Sequence, residues 1–139
     1  MTELRGHRLV DHTADEILEA WGPNRAACLE EAAFGLVELF ARPTSTAPTR
    51  SHEATLDGRD SAALLLAVLG EIIYLADAEN VVPAAVRVLD QGDQVRVHLG
   101  LVTTDDVEPT GPAPKGVSHS GLDLHSDSVK WTARALIDL

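Results

Sequence analysis

Cysteine is nearly missing from this chain: Cys28 stands alone among 139 residues. One thiol excludes an intrachain disulfide and a cysteine-based zinc site. Aromatic residues are scarce as well, at 4%, so a core has to be assembled from Leu, Val, Ile and Ala. Basic side chains are the third shortage. Eleven Lys and Arg face 22 Asp and Glu, which leaves a net charge of −11 and a pI near 4.8. Proteins that grip nucleic acid neutralise phosphates with basic residues, and no Lys/Arg cluster with interleaved aromatics occurs here. Direct, tight binding of RNA or DNA is therefore excluded as an expectation, and so is docking on an anionic membrane. A cation or a basic partner protein suits the field better.

Long apolar runs are lacking too. The N-terminal MTELRGHRLVDHTAD has no signal-peptide core. The longest apolar stretch, Ser61 to Ala76, contains Gly70 and Glu71 and is short for a bilayer. These features predict a soluble, cytoplasmic protein. What is present is ordinary for a globular domain: 45% hydrophobic and 24% charged residues, in a length that buries roughly two-thirds of its unfolded surface without staples.

Residues 16–21, EILEAW, read as a strand ending at Gly22-Pro23. Asn24 is placed to cap a helix whose face carries Leu29, Ala32, Ala33, Leu36, Val37 and Phe40, running to about Ala41 and stopped by Pro43. PTSTAPTR reads as a loop and SHEATLD, 51–57, as a short strand. Asp60 or Ser61 starts a second helix with Leu65, Val68, Leu69, Ile72 and Ala76 on its inward stripe. Leu64, Leu66, Ile73 and Leu75 widen that stripe almost to the full circumference, leaving Glu71 as its charge; such a helix belongs at the centre of the fold. After Asn80 the period changes to two. Val86 and Val88, a Gln91-Gly92-Asp93 turn, then Val95, Val97, Leu99 and Leu101 predict a β-hairpin. TTDDVEPTGPAPKG reads as a mobile Pro/Gly-rich loop. VSHSGLDL, an HSDS turn and VKWTARALIDL predict a second hairpin, with Trp131, Ala133, Ala135 and Ile137 on one face of its last strand. The expected architecture is α+β: a single domain, 1–139, with two main helices packed on a mainly antiparallel sheet.

No Gly-rich phosphate loop, G-x-S-x-G elbow or H-E-x-x-H occurs. Cys28 adjoins the buried stripe of the first helix and reads as packing rather than as a nucleophile. The six His are scattered without zinc spacing and read as surface residues, His12 excepted. His12 lies in Asp11-His12-Thr13-Ala14-Asp15, the one dense polar cluster. Two readings stand side by side for it: a turn whose carboxylates cap backbone N–H groups, or part of a hard-cation site that needs further oxygen ligands from elsewhere. The chain end is a second carboxylate cluster, where Asp138 precedes the terminal carboxylate of Leu139.

Four blocks, DHTAD before a strand that ends in Gly22, LLLAVLGEIIYLADAEN, KGVSHSGLDL and WTARALIDL, together make the sequence resemble the archease family. DHTAD with a following strand that ends in Gly22 is similar to that family's opening. LLLAVLGEIIYLADAEN is similar to its second helix, KGVSHSGLDL to its K-A-V-T-Y-H-G-L-E-V strand, and WTARALIDL to its closing W-x-A-x-V-x-F-D-I. The four blocks occur in order from about residue 8 to 139. The resemblance implies an archease-like fold and a non-enzymatic cofactor for an RtcB-type tRNA-splicing ligase, which promotes guanylylation of the ligase's active-site histidine and multiple turnover. It also implies a divalent cation, calcium in the family's usual assignment and with Mg²⁺ or Mn²⁺ also suitable, held by Asp15, Asp138 and Leu139. The chain departs from the family pattern at Glu16, Ile17 and Leu18 in place of I-G-I, at His119 and Ser120 in place of Tyr and His, and at Val68 and Gly70 in place of Trp and Asn. Two other function classes stand beside this one: a chaperone-like binding module, and a metal-dependent hydrolase or phosphoryl-transfer enzyme. The latter has only Lys115 and Lys130 as lysines to bind a phosphate.

Overall fold

Caps, turns and the two hydrophobic periods mark out the elements in the computed structural model, which describes residues 4–12, 15–44 and 47–139, Asp11 and His12 by their backbone alone. In chain order these are β1 (Gly6–His12), β2 (Asp15–Gly22), α1 (Arg25–Glu38), β3 (Ala41–Pro43), β4 (Arg50–Asp57), α2 (Ser61–Glu79), β5 (Val81–Asp90), β6 (Gln94–Thr103), β7 (Val107–Pro109), β8 (Gly116–Val117), β9 (Asp123–Ser126) and β10 (Trp131–Asp138). The fold is α+β, as expected.

Both helices start where the chain chemistry says they should. The Asn24 side chain accepts from the Ala27 N–H at 2.8 Å, and Asp60 accepts from Ala63 at 3.1 Å; each cap satisfies one of the donors a first turn leaves open. α1 stops at Glu38 rather than near Ala41, because residues 41–43 turn away to form β3. α2 runs three residues past the apolar stretch to Glu79 and so also carries Asp77 and Glu79. It ends on Asn80 in the left-handed conformation, φ 54°, which Asn tolerates better than most residues.

Two sheets hold the helices between them. The larger has the order β1-β2-β10-β8, with β9 also pairing β10; the smaller is β4-β6-β5, and every pairing is antiparallel. α1 packs on β1, β2 and β10 on one side and on β5 on the other, while α2 packs on β8, β9, β5 and β4. The expected single sheet is thus two, with a helical layer common to both. Leu65, Leu69, Ile72 and Leu75 of α2 and Leu29, Ala33 and Leu36 of α1 are completely buried in one core with Leu18, Val82, Leu101 and Ile137. By length and composition α2, with 19 residues and mean hydropathy 1.8, is long and apolar enough to cross a bilayer. Leu64, Leu65, Val68, Leu69, Ile72 and Leu75 face the core. Ala63, Gly70, Tyr74 and Asp77, however, are exposed along the opposite flank, so the helix packs by one side and is not the all-round buried helix expected.

Three strands are not evident from sequence. β1 is an edge strand of seven mostly polar residues, whose Leu9 faces Leu18 across the ladder. β3 and β7 pair with each other as a ribbon of three residues each. The segment expected to be a mobile loop therefore contains a 3₁₀ turn at Thr104–Asp106 and the strand β7. The Asp106 carbonyl accepts from both the N–H and the hydroxyl of Thr44.

Arg25 ties the layers at one end. Its guanidinium forms a fork with the Asp90 carboxylate at 2.8 and 2.9 Å, donates to the Gly58 and Gly92 carbonyls and to Ser61, and lies 5.9 Å from the Trp131 ring centroid. One side chain thus joins the starts of α1 and α2, the β5–β6 turn and β10.

Candidate functional site

β2 and β10 are the two central strands of the larger sheet, and their register decides the site. Ala20 faces Ala133, Leu18 faces Ala135, and Asp15 faces Asp138. Alternation sends Leu18, Ala20, Ala135 and Ile137 into the core. Asp15, Ile17, Leu136 and Asp138 therefore lie on the outer face, which neither helix covers. Directly opposed strand residues hold their Cβ atoms about 4.5–5.5 Å apart, and like charges so placed destabilise the pair. Among the described residues no Lys, Arg or His side chain forms an ion pair with either carboxylate.

The floor beside them is β8. Gly116 faces Asp138 on the other side of β10, the Lys115 N–H donates to the Asp138 carbonyl at 2.7 Å and the Ser118 N–H to that of Leu136 at 2.9 Å. Asp15, Asp138, Gly116, Val117, Ser118 and Leu136 line an open depression of about 360 Å³. A Cβ on Gly116 would touch nothing, so this glycine leaves the depression wide next to Asp138. Leu139 packs its side chain against the core, which anchors the main chain immediately after Asp138.

The fold thus brings Asp15 together with Asp138 from opposite ends of the sequence; Leu139, the third residue expected there, is not among those that line the depression. Asp11, His12, Thr13 and Ala14 of the polar cluster lie outside the described residues, Asp11 and His12 by their side chains, and Ser45 and Thr46 of the PTSTAPTR loop lie outside them entirely. Glu16 does not stand beside Asp15: alternation gives it the same inward sense as Leu18 and Ala20. His119 and Ser120 are exposed at the bend after β8, where the Ser120 N–H donates to the Ser118 hydroxyl at 3.1 Å; neither lines the depression. Nothing in the local sequence singles out Gly116 and Ser118. The signal that finds them is the pairing of β8 with β10, which is non-local.

The donor set suits a hard cation. Carboxylates with no competing basic partner are ligands for Ca²⁺, Mg²⁺ or Mn²⁺ and poor ones for zinc selection. Two side chains are fewer than these ions take, and among the described residues no three His, Cys, Asp or Glu converge. Any further ligands are then main-chain or terminal oxygens, hydroxyls or water.

Several titratable groups elsewhere are engaged in structural contacts. Cys28 is buried with its Sγ 3.7 Å from the Ala20 carbonyl, and burial pushes its thiol up to about 12, which keeps it protonated and inert. His52 pairs with Glu71 at 2.8 Å and His98 with Glu53 at 3.3 Å. His7 is not the free surface residue its sequence context suggests: both ring nitrogens meet carboxylates of α1.

Two helices held between antiparallel sheets, with a carboxylate pair on the uncovered face of the central strands, define a small α+β protein. The chain belongs to the Archease protein family (MTH1598/TM1083), which it matches over residues 7–139. It is 35% identical over 136 residues to "Probable protein archease" of Mycobacterium tuberculosis (strain H37Rv), covering 96% of this chain and 75% of that protein. It is 31% identical over 136 residues to "Protein archease" of Aeropyrum pernix, covering 93% and 94%. Among solved structures, Methanobacterium thermoautotrophicum protein 1598 superposes with a TM-score of 0.76 at 20% identity, covering 96% of this chain and 99% of that one. An archease from Thermotoga maritima, described as a "possible chaperone", gives 0.67 at 19% identity, covering 95% and 96%.

Proposed function

We propose that this chain is a divalent-cation-binding protein cofactor of an RtcB-type RNA ligase, acting in the cytoplasm to promote guanylylation of the ligase and its multiple turnover in tRNA splicing or RNA repair. The observation that carries this reading is the facing pair Asp15 and Asp138 on the outer face of β2 and β10. Together with the terminal carboxylate of Leu139 they would hold the cation, calcium first, with Mg²⁺ or Mn²⁺ as alternatives. Such an ion, when bound, supplies positive charge toward phosphate oxygens. The protein's own part is to fix both carboxylates on adjacent strands and present them on an open face. A net charge of −11 suits a visitor to a basic, RNA-binding cleft and keeps it from competing for the RNA.

The test is transfer of labelled GMP from GTP to the cognate ligase. This protein should increase the labelled fraction, and Asp15→Ala or Asp138→Ala should remove the increase without unfolding the domain. Labelling that is the same with and without the wild-type protein would contradict the reading. A chaperone-like module is the second reading, favoured by exposed Tyr74 at 58% and Val129 at 82%. Suppression of aggregation of a heat-unfolded client by stoichiometric protein, with guanylylation unchanged, would select it.

A further inference from the structure

The N-terminal edge of the larger sheet is fastened by an unusual seat. His7 of β1 lies across α1 with Nδ1 2.8 Å from Glu31 Oε1 and Nε2 2.9 Å from Glu38 Oε2. A carboxylate only accepts, so a ring that satisfies both must donate from both nitrogens, and only the imidazolium does so. The helix is built to receive it. Glu31 and Glu38 are two turns apart on one face, with Gly35 between them, and a Cβ on Gly35 would stand 3.2 Å from His7 Cδ2 and 2.4 Å from Leu18 Cδ1. A side chain there would collide with Leu18 and press on the ring.

Among the described residues the charges around the ring are few. From α1, Glu30 and Glu31 also bind Arg5, at 3.0 and 2.6 Å. β2 offers Ala20 opposite His7. From β3, Arg42 shares with His7, Phe34, Val37 and Glu38 a cavity of about 410 Å³, but its guanidinium is drawn off to Glu108 at 2.5 Å. Arg5 occupies Glu31 on the outside; Glu38, 60% exposed, has His7 as its partner.

We propose that His7, seated between Glu31 and Glu38 over Gly35, is a pH-sensitive latch that holds edge strand β1 on α1 and releases it as the imidazolium loses its proton. Neutral imidazole has one donor, so one of the two contacts becomes a lone pair facing a carboxylate. Burial disfavours the charge on His7, yet the hydrogen bonds and charges of Glu31 and Glu38 outweigh it and raise its pKa above the ordinary 6.5. A raised pKa means the latch contributes fully below about 6.5 and is lost as pH rises through the folded value. The window therefore opens in the neutral range and extends above it. β1 is the strand exposed to this loss because it pairs on one side only.

The experiment is an NMR titration of the full chain from pH 5.5 to 9, following the His7 ring resonances and the exchange protection of the β1 amides corrected for intrinsic rates. His7 should titrate above 6.5, with β1 protection falling several-fold over the same interval while α2 amides stay protected. Glu38→Gln should move the His7 midpoint down, and His7→Gln should make β1 protection independent of pH. A His7 midpoint at or below 6.5, a midpoint unmoved by Glu38→Gln, or β1 protection that stays constant through the His7 titration would each overturn the proposal.

Discussion

Asp15 and Asp138 face each other across a ladder, and among the described residues no basic side chain pairs with either, so their like charges are expected to cost the apo fold. Replacing either by Asn removes the repulsion. We expect Asp15→Asn and Asp138→Asn to leave apo stability unchanged or raised by roughly 0.2–1 kcal/mol. Wild-type protein should gain from calcium as RT ln(1 + [L]/Kd), about 2.7 kcal/mol at a hundredfold excess over Kd, and the Asn variants should not. Parallel melts with millimolar calcium and with EDTA check this; a wild-type melt indifferent to both would remove the cation from the site. At this scale the sequence is partly legible. Carboxylate clusters at the two chain ends are visible as residue types, but their meeting depends on the β2–β10 register, which no local pattern encodes. His7 is illegible for the same reason: its two partners lie on α1, and nothing near His7 in sequence announces them.

Among the elements, those with strong local chemistry are readable and those defined by a neighbour are not. Both helices follow from a cap and an apolar stripe, Asn24 with Leu29 to Val37 and Asp60 with Leu64 to Leu75. The first hairpin follows from alternation about Gly92. The second does so only in part, because the expected strand VSHSGLDL breaks into β8 and β9 around a bend and its turn falls at Asp127–Lys130 rather than on HSDS. β1, β3 and β7 do not show, since edge and ribbon strands bury few side chains and so carry little period-two signal. Arg25 is a cross-element device of the same hidden kind. Its hydrogen bonds depress the Asp90 pKa below the ordinary 3.8, so the pair stabilises the fold above that value and loses its contribution as pH falls through the folded one. The two side chains are 10% and 21% exposed, little enough for the charge-assisted bonds to count. Asp90→Asn should cost about 1–3 kcal/mol near neutral pH, read from urea midpoints. The gap to wild type should hold down to about pH 4 and narrow below it. A gap that widens in acid would show that the Arg25–Asp90 pair is not its source.

Taken whole, the molecule places a helical core between two sheets and leaves the outer face of β2 and β10 bare. The fold class is readable in the alternation of periods along the chain. That the sheet splits in two around the helices is not, because sheet membership is decided by which strands pair and not by what each strand contains. With its acidity, the bare face is expected to meet a basic partner by electrostatic steering, so the encounter should slow as salt rises. The decisive measurement for the proposed role is the number of ligation turnovers per RtcB-type ligase with RNA in excess, at low salt, with and without this protein. Several turnovers are expected with the wild-type chain, about one without it, and about one with a folded Asp15→Ala or Asp138→Ala variant. An equal number of turnovers in the presence and absence of the wild-type protein would contradict that role.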